Sequence, residues 1–449
     1  MNAVGGGTAT DAGGQSGAPS GSDGGTTSTA GGRRGTGGGA TAESGGAASG
    51  KSGSAGDHAG GAVAGTAGVG TSAAGQVGAG GSAGSGVAGT AGQATSEGGA
   101  GGDDTAAEGP VLAIGVGDGF ACALLDQGVV CWGRGDRGQL GNGSKDDSAV
   151  PTPVQGLSGR MKALAVGYRH ACVLTGDRVV CWGANDSGQL GDGTLDDRFS
   201  PTAVSNLPSG VLTMAAGAQH TCVRMAPTDS GEPATAYCWG DNTYGQIGNA
   251  STQQNYDVPA QVLSYSSGAA ISAGEFNTCA IVSYSVRCTG WRLSPMGVNL
   301  SPMDVDGTYG ATQVSVGSKL ICMIQGGGAS CWGINQDGSL GDGTNDDNGT
   351  PQPVAGLTSG VTAVSAGAGQ ACAIQRGVAF CWGTNTDGEV GDGTTMSRNT
   401  PAPVVDLPTG AEDVATGPGQ SCAVVKGHAY CWGHTDYLQS PTALPVPTL

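Results

Sequence analysis

Fourteen cysteines, five histidines and a set of aspartate-rich loops are the residues of this 449-residue chain that could do chemistry. Six of the cysteines stand in Cys-Trp-Gly, at Cys131, Cys181, Cys238, Cys331, Cys381 and Cys431, and an altered copy, Cys-Thr-Gly-Trp, begins at Cys288. Each of these seven has a second cysteine upstream. Metal sites usually show close Cys-x-x-Cys spacing with histidine nearby, and no such pair occurs here. The spacing suits disulfides. Between Cys172 and Cys181 runs "VLTGDRVV". A two-residue turn at Gly176-Asp177 sets Thr175 opposite Arg178, Leu174 opposite Val179, Val173 opposite Val180 and Cys172 opposite Cys181. That pair falls on a non-hydrogen-bonded position, where Cα atoms lie about 4.5 Å apart, within the range a disulfide accepts.

The same arithmetic centres turns on Gly326-Gly327, Arg376-Gly377 and Lys426-Gly427, with the glycine that primed turns demand. Asp126-Gln127 and Ser283-Tyr284 are poorer turn residues, and a bulged loop is the alternative there. Cys222 and Cys238 are farther apart and predict the same hairpin with a longer tip from Pro227 to Pro233. Seven disulfides are therefore expected: Cys122–Cys131, Cys172–Cys181, Cys222–Cys238, Cys279–Cys288, Cys322–Cys331, Cys372–Cys381 and Cys422–Cys431. They imply an oxidising compartment. Reduced thiols in a cytosolic protein are the other reading.

Catalysis finds little support. His170 and His220 stand two residues before a cysteine, in a column that elsewhere holds Phe120, Asn277, Leu320, Gln370 and Gln420. A column that tolerates Phe and Leu is structural. His428 falls in a hairpin tip and His434 in a loop, neither with an evident partner, and His58 lies far from the repeats. No Gly-x-Ser-x-Gly, His-Glu-x-x-His or P-loop pattern occurs over 110–449, and the glycine runs of 1–109 have no strand or helix pattern around them. No catalytic residue, cofactor or metal ligand is assigned, and a non-enzyme is expected. Asp192, Asp196 and Asp197 in "GDGTLDD" could offer calcium oxygens, but their spacing does not match a twelve-residue calcium loop, and Asn or Asp before Gly also forms plain turns.

These residues must be held by a repeated framework. The Cys-Trp-Gly landmark recurs about every 50 residues over 110–449. Each unit reads as a short strand ("MKALAVG", "VTAVSAG"), the cysteine hairpin, a loop ("NDSGQLGDGTLDD") and an extended Ser-Pro-Thr segment. Strand residues are Val, Ala, Ile and Thr with glycine punctuation, and no stretch has helical periodicity. Four short strands in each of seven units predict an all-β, seven-bladed propeller, with each tryptophan packed between blades. Residues 1–109 are another regime. They hold 38 glycines and no Leu, Ile, Phe, Tyr, Trp or Cys, so they cannot bury enough apolar surface to fold and are expected to be a disordered linker.

The quoted units resemble the repeat of the regulator of chromosome condensation family. The likeness lies in the Gly-x-x-His start, the Trp-Gly-x-Asn-x-x-Gly-Gln-Leu-Gly-x-Gly-Thr centre and the Pro-x-x-Val end, and it covers essentially all of 110–449. The resemblance implies a seven-bladed propeller whose two chain ends share one blade, which would place Pro441–Val446 beside Val111–Val116. Members range from eukaryotic exchange factors for a small nuclear GTPase to secreted bacterial proteins, among them a propeller-type β-lactamase inhibitor, and the paired cysteines suit the bacterial kind. The fold therefore does not fix the function.

Charge excludes some partners. The formal charge is −18, and with eight acidic and three basic residues in 1–109, −13 of it falls on 110–449. Such a field repels nucleic acid, which argues against the chromatin role. No apolar run approaches the ~20 residues of a membrane span. Met1 is followed by neither a basic nor an apolar region, so no signal peptide is visible. That agrees with an oxidising location if the true start lies upstream. The reading is a monomeric, extracellular or surface-tethered protein-interaction module. The runner-up is an inhibitor or receptor for one specific extracellular protein. The repeat breaks its pattern in units 3 and 4, which hold six of the nine tyrosines. Tyr244, Tyr256 and Tyr265 are the candidate partner-binding residues, on a surface shared by the long unit 3 tip and the loop-poor unit 4. Repeat decay is the alternative.

Overall fold

Twenty-eight strands form seven four-stranded antiparallel sheets in the computed structural model, which describes residues 109–227, 234–263, 265, 268–292, 297–435 and 438–447. The linker expectation for 1–109 therefore falls, save Gly109, outside the described residues. Each sheet is one blade built from consecutive strands: blade 1 spans 113–153, blade 2 161–203, blade 3 211–261, blade 4 268–304, blade 5 311–353, blade 6 361–403 and blade 7 411–445. The seven-bladed propeller is thus formed. No helix among the described residues is long and apolar enough to cross a membrane.

The first strand of each blade is the innermost, and these strands form a ring in which 113–116 touches both 161–166 and 411–417. What lets them approach is a glycine at the end of every inner strand. A Cβ on Gly117, Gly167, Gly217, Gly274 or Gly317 would lie 2.1–2.6 Å from the carbonyl oxygen of the next glycine in the ring. The lumen at this ring has a volume of only about 20 Å³, room for about one water. An inner strand is also an edge strand, whose free amides must find acceptors. Side chains of the preceding blade supply them. Ser272, Ser315 and Ser365 accept the amides of Val316, Ala366 and Thr416 at 2.9–3.1 Å. Gln313 brackets Val364, taking its amide and donating to its carbonyl.

The ring closes differently from the expectation. The chain ends do not share a blade: Leu438–Pro445 is the outer strand of blade 7 and pairs with His428–Thr435, while blade 1 is made wholly of the first four strands. Blade 7 meets blade 1 by packing. Val111, Ile114 and Val116 share a buried cluster with Ala415, Val424 and Ala429, and Val446 packs on its margin. The Val111 amide also donates to the Gly427 carbonyl at 2.9 Å. A ring of complete four-stranded sheets can close by apolar contact, because it leaves no half-built blade to complete.

The outer strand of every blade slips register opposite the Cys-Trp-Gly segment. A proline lies in the skipped stretch each time: Pro151, Pro201, Pro259, Pro302, Pro351, Pro401 and Pro441. Proline and irregularity on an exposed edge prevent strand addition by another chain, so the Ser-Pro-Thr segment is explained.

Candidate binding surface

All seven predicted disulfides are formed, with Cα–Cα separations of 4.0–4.1 Å. Free cysteines are absent among the described residues. Each pair sits opposite in register across a hairpin. The bulged loops considered for units 1 and 4 do not occur, since Leu125 pairs with Gly128 and Val282 with Ser285. Unit 4 turns tightly because Ser283 and Tyr284 both adopt left-handed φ, 51° and 66°, without glycine. Residues 228–233 of the long tip lie outside the described residues.

The histidine column is structural. His170 and His220 are fully buried, and their Nε2 atoms lie 2.9 and 2.8 Å from the hydroxyls of Thr221 and Thr278 in the next blade. Thr221 donates to the Gln189 carbonyl, so His170 must donate to Thr221 through Nε2. Burial pushes His170 down to about 3 and His220 to about 4. Both rings are neutral across the physiological range and join neighbouring blades.

The aspartate loops point inward to their own donors. Asp192 accepts the Thr194 amide and hydroxyl at 3.0 and 2.7 Å and Arg198 at 2.7 Å. Asp197 accepts the Asn185 amide and the Arg137 guanidinium, both at 2.9 Å. Burial alone would raise these carboxyls, but the hydrogen bonds outweigh it and hold both below the usual range. Asp196 is exposed. Among the described residues no three His, Cys, Asp or Glu side chains gather as a metal site would need.

The three tyrosines do not share a surface. Tyr265 is only 2% exposed, and its hydroxyl donates to the Thr278 carbonyl at 3.0 Å. It fills the column of Leu157 and Leu357, beside the place where blade 4 has Thr289 instead of tryptophan. Tyr265 is therefore core, contrary to the sequence expectation. Tyr256, on the outer strand of blade 3, is half-buried against the clusters on both sides of that blade. Tyr244 is 37% exposed and stacks edge-on against Phe276, with ring centroids 4.9 Å apart. The expected ridge also fails on topology. In an up-and-down blade the second and third strands join at the opposite end from the third and fourth, so Met225 and Ala236, the strand ends nearest the long tip, lie away from the Tyr244 loop.

The Tyr244 face carries the most varied side chains. The residues just after the ring glycines are Asp118, Tyr168, Ala218, Glu275, Ser318, Ala368 and Pro418. Asp118 receives Arg134 and Arg169 at 3.2 and 3.0 Å. The Tyr168 hydroxyl reaches Ser318 and Glu275 across the mouth of the ring, and burial pushes its phenol up. Arg137, Tyr168, Arg169, Asp241, Glu275 and Phe276 line a pocket of about 330 Å³ there. Sequence reasoning missed this cluster because it looked for irregular units; the signal was the run of variable positions that directly follows the repeated ring glycine.

Two models of the regulator of chromosome condensation (RCC1) repeat match the chain, one over residues 127–174, 177–224, 235–281, 327–374 and 376–424, the other over 111–139 and 161–189. The chain belongs to the RCC1 repeat family. Its RCC1 propeller is similar in fold to human WBSCR16, at 21% identity over 68% of this chain and 83% of that one, with a TM-score of 0.60. It is likewise similar to Saccharomyces cerevisiae Prp20p, studied for its binding to Gsp1p and histones, at 20% identity over 72% and 87%, with a TM-score of 0.62. A stretch of 58 residues is 43% identical to the Arabidopsis thaliana ultraviolet-B receptor UVR8, and it spans 13% of each chain. Within the RCC1 repeats, six tryptophans take the expected place between blades; Trp291, displaced by two residues, is half-buried and lines a groove between blades 4 and 5.

Proposed function

We propose that this RCC1 propeller is a non-catalytic protein-interaction module working in an oxidising, extracellular or cell-surface setting, and that it binds through the face bearing Tyr168, Arg169, Tyr244, Glu275 and Phe276. The observation that carries the reading is that pocket: arginine, tyrosine and phenylalanine side chains, part-exposed around a concavity on an otherwise repetitive scaffold. Such residues dominate interface energies. The seven closed disulfides support the compartment, and the acidic charge disfavours nucleic acid as a partner. The inhibitor or single-partner receptor is the second reading, favoured by the concave shape of the pocket.

Crosslinking on intact cells followed by capture of the tagged full chain tests the proposal. Wild type should retain a protein that Arg169→Glu and Tyr244→Ala lose by about tenfold, or ~1.4 kcal/mol each, with melting temperature unchanged. One tight partner would favour the inhibitor or receptor, and broad surface retention the scaffold. Equal capture by wild type and both variants would overturn the assignment of this face.

A further inference from the structure

Four tryptophan indoles are covered in one way. Trp182, Trp239, Trp382 and Trp432 donate Nε1–H to the carbonyls of Gln139, Gln189, Ser339 and Glu389 in the preceding blade, each at 2.9 Å. The next residue, Leu140, Leu190, Leu340 or Val390, is wholly buried. The one after is glycine, where a Cβ would press to 2.7–2.8 Å from the indole. Carbonyl, aliphatic side chain and glycine thus make a plug that seals the groove between two blades.

Blade 4 has no such loop, because only residues 293–296 separate its third and fourth strands. The Trp332 indole of blade 5 has no hydrogen-bond partner among the described residues, and it borders a groove of about 330 Å³. Residues buried elsewhere are opened. Ile321 is half-buried, whereas Ala371 and Ser421 in its column are fully buried, and Cys288 is the most exposed of the fourteen cysteines.

Two of the grooves show a further contact. There the loop residue two before the carbonyl position meets the same column on the next blade. Tyr244 stacks on Phe276 there, and a carboxylate oxygen of Asp387 lies 3.4 Å from where a Cβ on Gly419 would stand. In the groove between blades 4 and 5 that column is Lys319, which forms no ion pair among the described residues. We propose that this groove takes a loop of a protein partner with the pattern acid–Gly–x–aliphatic–Gly: its acid pairs with Lys319, its carbonyl accepts Trp332 Nε1–H, and its aliphatic side chain enters the groove. This deepens the interaction-module reading and rests on it. The chain's own Ala74-Gly75-Gln76-Val77-Gly78 matches the pattern except for the acid, which makes a partner the better fit to Lys319.

The probe is a synthetic copy of residues 386–394, Thr-Asp-Gly-Glu-Val-Gly-Asp-Gly-Thr, added to the full chain and followed through the Trp332 indole resonance. The resonance should shift in a saturable way. Replacing the probe's valine by aspartate should weaken binding about tenfold. Lys319→Glu should weaken binding to the probe and strengthen it to a version carrying lysine at its first acid. No shift at millimolar probe, or a shift indifferent to both changes, overturns the proposal. So does binding that appears only after Val77→Asp in the full chain, since the groove would then belong to the chain's own segment. Each of these failures leaves the partner-capture test of the ring-mouth face untouched, so the two readings fall separately.

Discussion

The carboxylate of Asp413, on the inner strand of the last blade, accepts the amide of Ile114 on the inner strand of the first at 3.4 Å. It does the work at the closing seam that neutral serines and Gln313 do elsewhere in the ring. Burial raises this carboxyl to about 7, against the pull of the Ile114 and Val414 amides. Its folded pKa lies above the unfolded value, so the protonated form stabilises the fold. That contribution is fully present below about pH 4 and is lost as pH rises to about 7, at up to about 1.4 kcal/mol per pH unit. Asp413→Asn should remove this slope and raise the melting temperature at pH 8. Parallel melting curves of variant and wild type from pH 4 to 8 would contradict it.

His170 and His220 act in the opposite sense. Their folded pKa values, about 3 and about 4, lie below that of a free imidazole. Their stabilising contribution is present above about pH 6.5 and is lost as pH falls through the folded values. His170→Gln and His220→Gln copy the residue that Gln370 and Gln420 provide in the same column. The double variant should resist acid better than wild type between pH 6 and 4, read by denaturant midpoint at each pH.

The glycine ring makes a steric prediction. A Cβ at Gly317 would stand 2.1 Å from the Gly367 carbonyl oxygen, while one at the turn residue Gly326, φ 59°, meets nothing within 4 Å. Gly326→Ala should cost about 1 kcal/mol in backbone strain. Gly317→Ala should cost about 3 kcal/mol or more, because packed backbone must move. Equal denaturant midpoints for the two would refute the ring geometry.

Tyr265 offers a check on what is core. Tyr265→Ala should lose about 3–5 kcal/mol, as large aromatic truncations in cores do. Tyr265→Phe should lose about 1 kcal/mol for the hydrogen bond to Thr278. A surface tyrosine would show neither effect by urea titration.

Replacing Cys372 and Cys381 together by serine opens a short loop and should cost about 2–3 kcal/mol on the chain-entropy model. Peptide mapping without reduction should find only links within a unit.

Blades, hairpins and cysteine pairs were legible in the sequence because each is set by local spacing that recurs seven times. Closure was not, since the inference from related repeats concerned which strands share a sheet, and here each sheet is consecutive in the chain. Tyr265 was misread for a related reason. Composition located the irregular units, but that Tyr265 is buried depends on its hydroxyl reaching the Thr278 carbonyl in the next blade, which sequence spacing does not show. The ring-mouth pocket gathers side chains from four blades, and only the three-dimensional ring makes Tyr168 and Glu275 neighbours.

Every disulfide joins nearest cysteines, nine residues apart in six pairs and sixteen in one. Fourteen cysteines admit on the order of 10⁵ pairings, by the counting that gives 105 for eight. A chain that meets an oxidant N-terminus first never samples that number, because each cysteine finds its mate before the next pair emerges. Oxidation can therefore proceed hairpin by hairpin, and the search left for the end is the docking of whole blades, a step that no covalent bond guards.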